Sequence, residues 1–244
     1  MKYIFVLLFL FLMLHLFSQS FVETQKKYSR VKTAYSEKET VVKKLLSDNK
    51  IENFNIDIYL RIFKQEQIVE VWAKSKTDIT YTHITDYKIC SISGELGPKR
   101  RQGDGQIPEG FYFINRFNPY SNFYLSLGLN YPNQADKIIT AGNDSGGDIF
   151  IHGNCVTIGC IPITDDKIKE MYIFAIEAKL HGQEKIQVHI FPCKMTDKKM
   201  LELKNHNPLL ITFWQSIKPA YDMFEKNKTA PSFSVDKKGN YIFS

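Results

Sequence analysis

Hydrophobic and polar positions change period several times along this chain. Across residues 23–50, Tyr28, Val31, Tyr35, Val42, Leu45 and Leu46 fall near one stripe of a 3.6-residue repeat, which predicts an amphipathic helix. From Ile56 the period becomes two: Ile56, Ile58, Leu60 and Ile62 alternate with other residues, the pattern of a strand with one buried face. The polar stretch 64–67 then turns the chain into IVEVWAK, so a hairpin is expected. Residues 78–92 alternate again and predict a third strand. The segment SGELGPKRRQGDGQIPEG is punctuated by glycine and proline and reads as a loop that delivers the strand FYFINRF. Further short strands are expected at FYLSLGL, IFIHG, CIPI and IQVHIF. A helix is expected to start with Thr164 as its cap and to run through DDKIKEMYIFAIEAKL. The tail from 197 to 229 reads as mostly helical, with a last strand at NYIFS.

No strand–helix unit recurs, so the expected fold class is α+β around a mixed or largely antiparallel sheet. A catalytic-sized domain is expected at 52–195, with a helical segment at 21–51 before it and a mostly helical extension at 196–244 after it. Residues 1–20 stand apart. Lys2, an apolar run from Tyr3 to Phe17, and the small residues Ser18 and Ser20 have the layout of a secretory signal peptide. The apolar run is shorter than the roughly 20 residues a spanning helix needs, so cleavage after Ser20 and an exported chain with no membrane span are expected.

Composition changes this picture little. Hydrophobic residues at 43% and charged residues at 24% are those of an ordinary globular protein. The formal net charge of +6 comes from scattered pairs rather than one basic run. With an export signal, that argues against nucleic acid and suits an acidic polymer such as a cell wall.

The candidate chemistry lies in DIFIHGNCVTIGCIPITDD, residues 148–166. His152, Cys155 and Cys160 would supply three zinc ligands, but the C-x2-C spacing is missing and nothing points to a fourth; no metal or other cofactor is expected. A bridge between Cys155 and Cys160 would close a very short loop. Cys90 and Cys193 each follow a strand-like stretch, so a Cys90–Cys193 disulfide is the expected pairing. His152 ends an apolar strand and is followed by Gly153, which puts the imidazole at the rim of a sheet. Cys160 follows Gly159, where a sharp turn exposes a thiol and leaves backbone N–H groups open. An imidazole beside that thiol would generate the thiolate and later protonate a leaving amine. A catalytic Cys160 is therefore expected to be alkylated faster than an unfolded thiol near neutral pH. Histidine before cysteine is the reverse of the papain order. Sortases share the order but need an arginine after the cysteine, and the last arginine here is Arg116.

IHGNCVTIGCIPITDD resembles the catalytic motif of L,D-transpeptidases with a YkuD domain, a histidine in IHG followed by Ser/Thr-x-Gly-Cys. The short spacing is similar to that of the YafK/DpaA-like branch of Gram-negative bacteria. GPKRRQGDGQIPEGFYFI and SLGLNYPNQAD also look like that branch, so the resemblance spans residues 56–192. It implies a mixed, sandwich-like sheet with helical extensions, Cys160 as nucleophile and His152 as general base and acid. It further implies that the Gly153 carbonyl orients the imidazole and that Thr157 is a supporting hydrogen bonder, and it points to the N–H groups of Gly159 and Cys160 for the oxyanion. The substrate it implies is the peptidoglycan stem peptide, in cell-wall biogenesis and cell shape. A wall-linked envelope protein is a further candidate partner, and the periplasm is the expected site of action. The loop of Lys99, Arg100, Arg101 and Asp104 has two readings: a solvated turn, or a flap in which Lys99 or Arg101 pairs with substrate carboxylates. Cross-linking and hydrolysis both remain open. From another class, the chain could be a wall-binding scaffold without turnover.

Overall fold

The computed structural model describes residues 21–243; the expected signal peptide lies outside them. Strands β1 (Ile56–Phe63) and β2 (Ile68–Ser75) form the expected hairpin, paired from Ile56↔Ser75 to Phe63↔Ile68. Strand β3 (Thr82–Lys88) runs antiparallel beside β2. Strand β4 (Gly110–Asn118) is followed by β5 (Ser126–Leu129), β6 (Phe150–His152), β7 (Ile161–Pro162) and β8 (Gln187–Phe191). The eight strands lie in the order β3-β2-β1-β8-β4-β5-β6-β7, with β1–β8 and β6–β7 parallel and the rest antiparallel.

Strand β4 turns the sheet. Residues 110–113 pair with β8 and residues 114–118 with β5, with a register break between Ile114 and Arg116. A break of this kind bends a strand and lets one sheet curl round a core. The curl brings the two ends together, so that Cys90, just past edge strand β3, donates its N–H to Pro162 O of β7 at 3.0 Å. The fold is α+β with a mixed sheet, as expected.

Helix α1 (Ser29–Asp48) and helix α3 (Thr164–Leu180) pack together on the inside of the curl, and a short helix α2 (Gln134–Ile139) follows β5. Helix α3 is apolar on most sides, from Ile168 through Ala178, because it is enclosed by the sheet and α1. Its two buried acids face partners. Glu170 accepts from Tyr87 Oη at 2.9 Å and from Lys167 Nζ at 2.9 Å, and Glu177 accepts from Tyr35 Oη and Lys26 Nζ. Val31, Ala34, Val42 and Leu46 of α1 are buried in the same core as Ile58 and Leu60. The α3 start obeys the sequence signal in an unusual way: Thr164 has φ +70°, yet its hydroxyl accepts Lys167 N–H at 3.3 Å, the hydrogen bond of a cap.

Two expectations need correction. Strand β1 is buried on both faces, not one, because Tyr59, Arg61 and Phe63 meet a second apolar layer. That layer holds Phe111, Phe191, Cys193, Trp214 and Ile217, and is roofed by α4 (Asp197–His206), α5 (Ile211–Asn227) and the hairpin of β9 (Phe233–Val235) and β10 (Tyr241–Phe243). The expected Cys90–Cys193 bridge does not form. Cys193 is a free, buried thiol in this second layer, whereas Cys90 lies beside β7 and is bonded to Cys155. The pairing turns on which face of a curled sheet each cysteine occupies, and strand-like flanks do not reveal the face.

Candidate active site

His152 ends β6 with its ring turned inward, 1% exposed. Its Nδ1 meets the carbonyl oxygen of Gly153, an acceptor only, so Nδ1 carries the proton and Nε2 keeps a lone pair. Phe123, from the loop before β5, stacks on the imidazole at 4.6 Å and 29°. Burial pushes the His152 pKa below its ordinary 6.5, against the Gly153 carbonyl, which favours the charged ring. Gly153 is required by close approach. A Cβ there would collide with the Asp165 carboxylate and come within 3.0 Å of Phe123 O.

Cys160 stands at the entry to β7. It directly precedes Ile161, which pairs with Ile151 of β6, the strand that ends in His152. Its Sγ donates to Asp148 O at 3.5 Å. Burial raises the thiol above its ordinary 9.0, and the Asp148 carboxylate adds to this; the Phe150 backbone and Lys99 pull the other way. Both shifts disfavour charge, so thiol and imidazole rest neutral rather than as an ion pair. Gly159 sits at φ +133°, with Gln106 O 3.0 Å from where a Cβ would be, and only glycine fits.

The three residues expected to support the pair divide in role. The Gly153 carbonyl accepts from the imidazole. Thr157 is the hub of the turn: its Oγ1 accepts from Gly159 N at 3.1 Å and Cys160 N at 2.8 Å, and donates to Cys160 O at 2.8 Å. The N–H groups of Gly159 and Cys160, expected to stand open for an oxyanion, are therefore both engaged, because a hydroxyl at this position satisfies two donors and one acceptor at once.

Lys99 also differs from expectation. Its ammonium is buried and committed to Asp104 Oδ1 at 2.5 Å and Arg101 O at 2.8 Å. Burial works against the Asp104 carboxylate, but Lys99 and the N–H groups of Arg101, Gln106 and Arg100 hold it down to about 2. Arg101 is exposed on the same loop. The motif blocks of the sequence meet here: Arg100 donates to Asp136 at 2.9 Å, and Tyr131 Oη donates to Lys99 O at 3.2 Å. The loop is anchored from below by a buried ion pair. Lys64 Nζ lies 3.0 Å from Glu109 and donates to three carbonyls, while Glu109 accepts from Gly97 N and from Trp214 Nε1 at 2.8 Å.

Sequence reasoning passed over Phe123, Glu109, Trp214 and the pairing of Cys155. Phe123 and Trp214 carry no local signal, since their roles arise from contacts across 29 and 105 residues of chain. Cys155 lies exposed in the turn between His152 and Cys160, and its bond to Cys90 ties that turn to the far end of the sheet. Between this turn and α1 is a cleft of about 480 Å³, lined by Arg30, Asn122, Tyr124, Asn154, Thr164 and Asp165. Among the described residues, no group of three or more His, Cys, Asp or Glu side chains is placed to hold a metal, and no helix is long and apolar enough to cross a membrane.

Fold and site thus define a class: an α+β domain whose curled sheet ends in a His–Gly strand and a Gly–Cys turn. Residues 57–188 match the YkuD family, the L,D-transpeptidase catalytic domain, and the chain belongs to that family. The YafK proteins of Escherichia coli strains K12 and O157:H7 are each 39% identical to it over 189 residues, 77% of this chain and 74% of theirs. Two solved structures are similar: the helical cell shape determining protein Pgp2 from Campylobacter jejuni (19% identity, 75% of this chain and 74% of that one, TM-score 0.45) and Bdellovibrio bacteriovorus Bd1075 (21%, 70% and 60%, TM-score 0.38). Membership of the family gives the chain a role in peptidoglycan.

Proposed function

We propose that this chain is a cysteine-dependent L,D-acyl transferase or amidase of peptidoglycan stem peptides, working in the cell envelope. The observation that carries the reading is the imidazole with its Nδ1 proton fixed on Gly153 O, at the end of β6, beside a strand that begins directly after a thiol at a glycine turn. Cys160 Sγ attacks the carbonyl carbon of the amide that follows an L-centre, passing its proton to His152 Nε2. As the C–N bond breaks, the imidazolium returns that proton to the departing amine, D-alanine or an attached envelope protein, and a thioester remains. His152 then removes a proton from an incoming amine, giving a cross-link, or from water, giving a cleaved stem. Neutral resting groups fit this order, with the thiolate formed only as attack begins.

The oxyanion needs donors, and the Gly159 and Cys160 N–H groups serve once the Thr157 hydroxyl turns away from them. Lys99 favours the thiolate through space, and exposed Arg101 is the better candidate of the two for a substrate carboxylate. Export by residues 1–20 agrees with an envelope substrate.

The test is mass spectrometry of muropeptides after incubating the mature chain with isolated sacculi, beside Cys160→Ala. New cross-links absent with Cys160→Ala identify a transferase, and loss of a stem-linked group without new cross-links identifies a hydrolase. Identical products from both proteins overturn the reading in favour of a wall-binding scaffold.

A further inference from the structure

We propose that Arg30, on the helix that precedes the catalytic family segment, is a positioning residue for His152: it clamps the 119–125 loop so that Phe123 lies flat on the imidazole. The Arg30 guanidinium donates through Nη1 to two main-chain carbonyls, those of Ser121 and Tyr124. Phe123 is held between these two fixed points, and its N–H is bound by Ser121 Oγ at 3.1 Å. Among the described residues no carboxylate pairs with Arg30, so its charge is spent on this loop. A second contact joins the same two elements, Tyr28 against Tyr120 at 4.9 Å.

The loop needs such a clamp. Tyr124 sits at φ +73°, a conformation that a bulky residue adopts only when its surroundings enforce it. The Phe123 ring is 38% exposed, so burial does not hold it. What the ring does is cover one face of His152, while Phe123 O packs against Gly153, whose carbonyl fixes the Nδ1 proton. One clamp therefore sets both the orientation of the base and its removal from water. No charged group contributes to the His152 shift, which comes from burial and is opposed by the Gly153 carbonyl; the charged side chains that contact its surroundings are Asp165, bound to Asn154 N–H, and Arg30 on the loop. The downward shift of His152 comes from burial, and the ring that buries it is the one Arg30 holds.

The inference rests on His152 being the base, so its test has one readout independent of turnover. The His152 ring is titrated by NMR in the mature chain, assigned by comparison with His152→Gln, and the pH profile of sacculus processing is measured beside it. Phe123→Ala is expected to raise the His152 midpoint toward the ordinary 6.5 and to move the acid limb of kcat/KM up by the same amount. Arg30→Ala should do likewise, with kcat down about tenfold or more and KM little changed. Arg30→Lys, which keeps a cation with N–H donors on a shorter reach, should recover part of both effects. Lys32→Ala, exposed on the same helix, should match wild type. Folded Arg30→Ala with a wild-type midpoint and acid limb overturns the proposal, as does a loss that Arg30→Lys shares in full. A shifted midpoint in a chain whose wild type processes no sacculi would keep the clamp and sink the catalytic reading instead.

Discussion

At the scale of single residues the site is governed by desolvation. An exposed thiol beside an imidazole is often drawn as a preformed ion pair, but burial pushes Cys160 up and His152 down, and each shift favours the neutral form. These shifts lead us to expect slow alkylation at neutral pH instead. Iodoacetamide should label Cys160 more slowly than an unfolded thiol at pH 7, with the rate still climbing at pH values where the unfolded thiol has levelled off; quantitative mass spectrometry of the Cys160 peptide checks this, and fast neutral labelling would show that the pair is ionic after all. The sign of the turnover profile follows from the same shifts. The base must be unprotonated, so activity should persist below pH 6.5 and fall only as pH drops through the lowered His152 value. His152 and Cys160 stand out as candidates in the sequence because each lies beside a glycine at a strand end or turn, while the supporting roles expected of Gly153 and Thr157 came from the family resemblance. The engagement of the Gly159 and Cys160 N–H groups by Thr157 was not, since a hydroxyl three residues back shows its partner only when the turn is closed.

At the scale of elements, the disulfide is the main structural correction. It joins residues separated by 65 positions, and chain entropy alone assigns such a closure roughly 4 kcal/mol. Its position matters as much as its strength, because Cys155 lies inside the turn between base and nucleophile. Cys90→Ser with Cys155→Ser should lower the thermal midpoint and reduce kcat, while the wild type under reductant shows the same two changes. A variant with unchanged midpoint and kcat would make the bond an ornament of the fold. A peptide map without reductant should show Cys193 free, consistent with a buried thiol whose pKa is pushed up to about 12. Strands β1 and β2 and helix α3 were plain in the hydrophobic period. The second buried face of β1 was hidden because Tyr59 and Arg61 are polar by type and buried only through partners, His189 at 2.7 Å and Glu225 at 2.7 Å.

Across the whole molecule, the segments outside residues 57–188 belong to the working structure. Helix α1 completes the core and holds the loop above His152. The C-terminal helices roof the outer face and, through Trp214, Glu109 and Lys64, hold the loop whose Gln106 packs on Gly159. Trp214→Phe keeps most of the packing but leaves a fully buried carboxylate oxygen without its donor. We expect a loss of roughly 1–3 kcal/mol by chemical denaturation, together with a lower kcat. If stability fell without any change in turnover, the C-terminal layer would be a cover and not a support for the site.

The amino-acid sequence by itself determined the α+β class, most of the elements and the family, and it singled out His152 and Cys160 as the candidate pair. These rest on hydrophobic period and on short runs of glycine, histidine and cysteine, all of which are properties of neighbours along the chain. Tertiary structure alone decided the partner of Cys90, the engagement of the oxyanion donors, the burial of Lys99 and the link from Arg30 through Phe123 to His152. Each of these depends on which segments the curl of the sheet at β4 brings together, and that curl is set by packing between residues far apart in the chain.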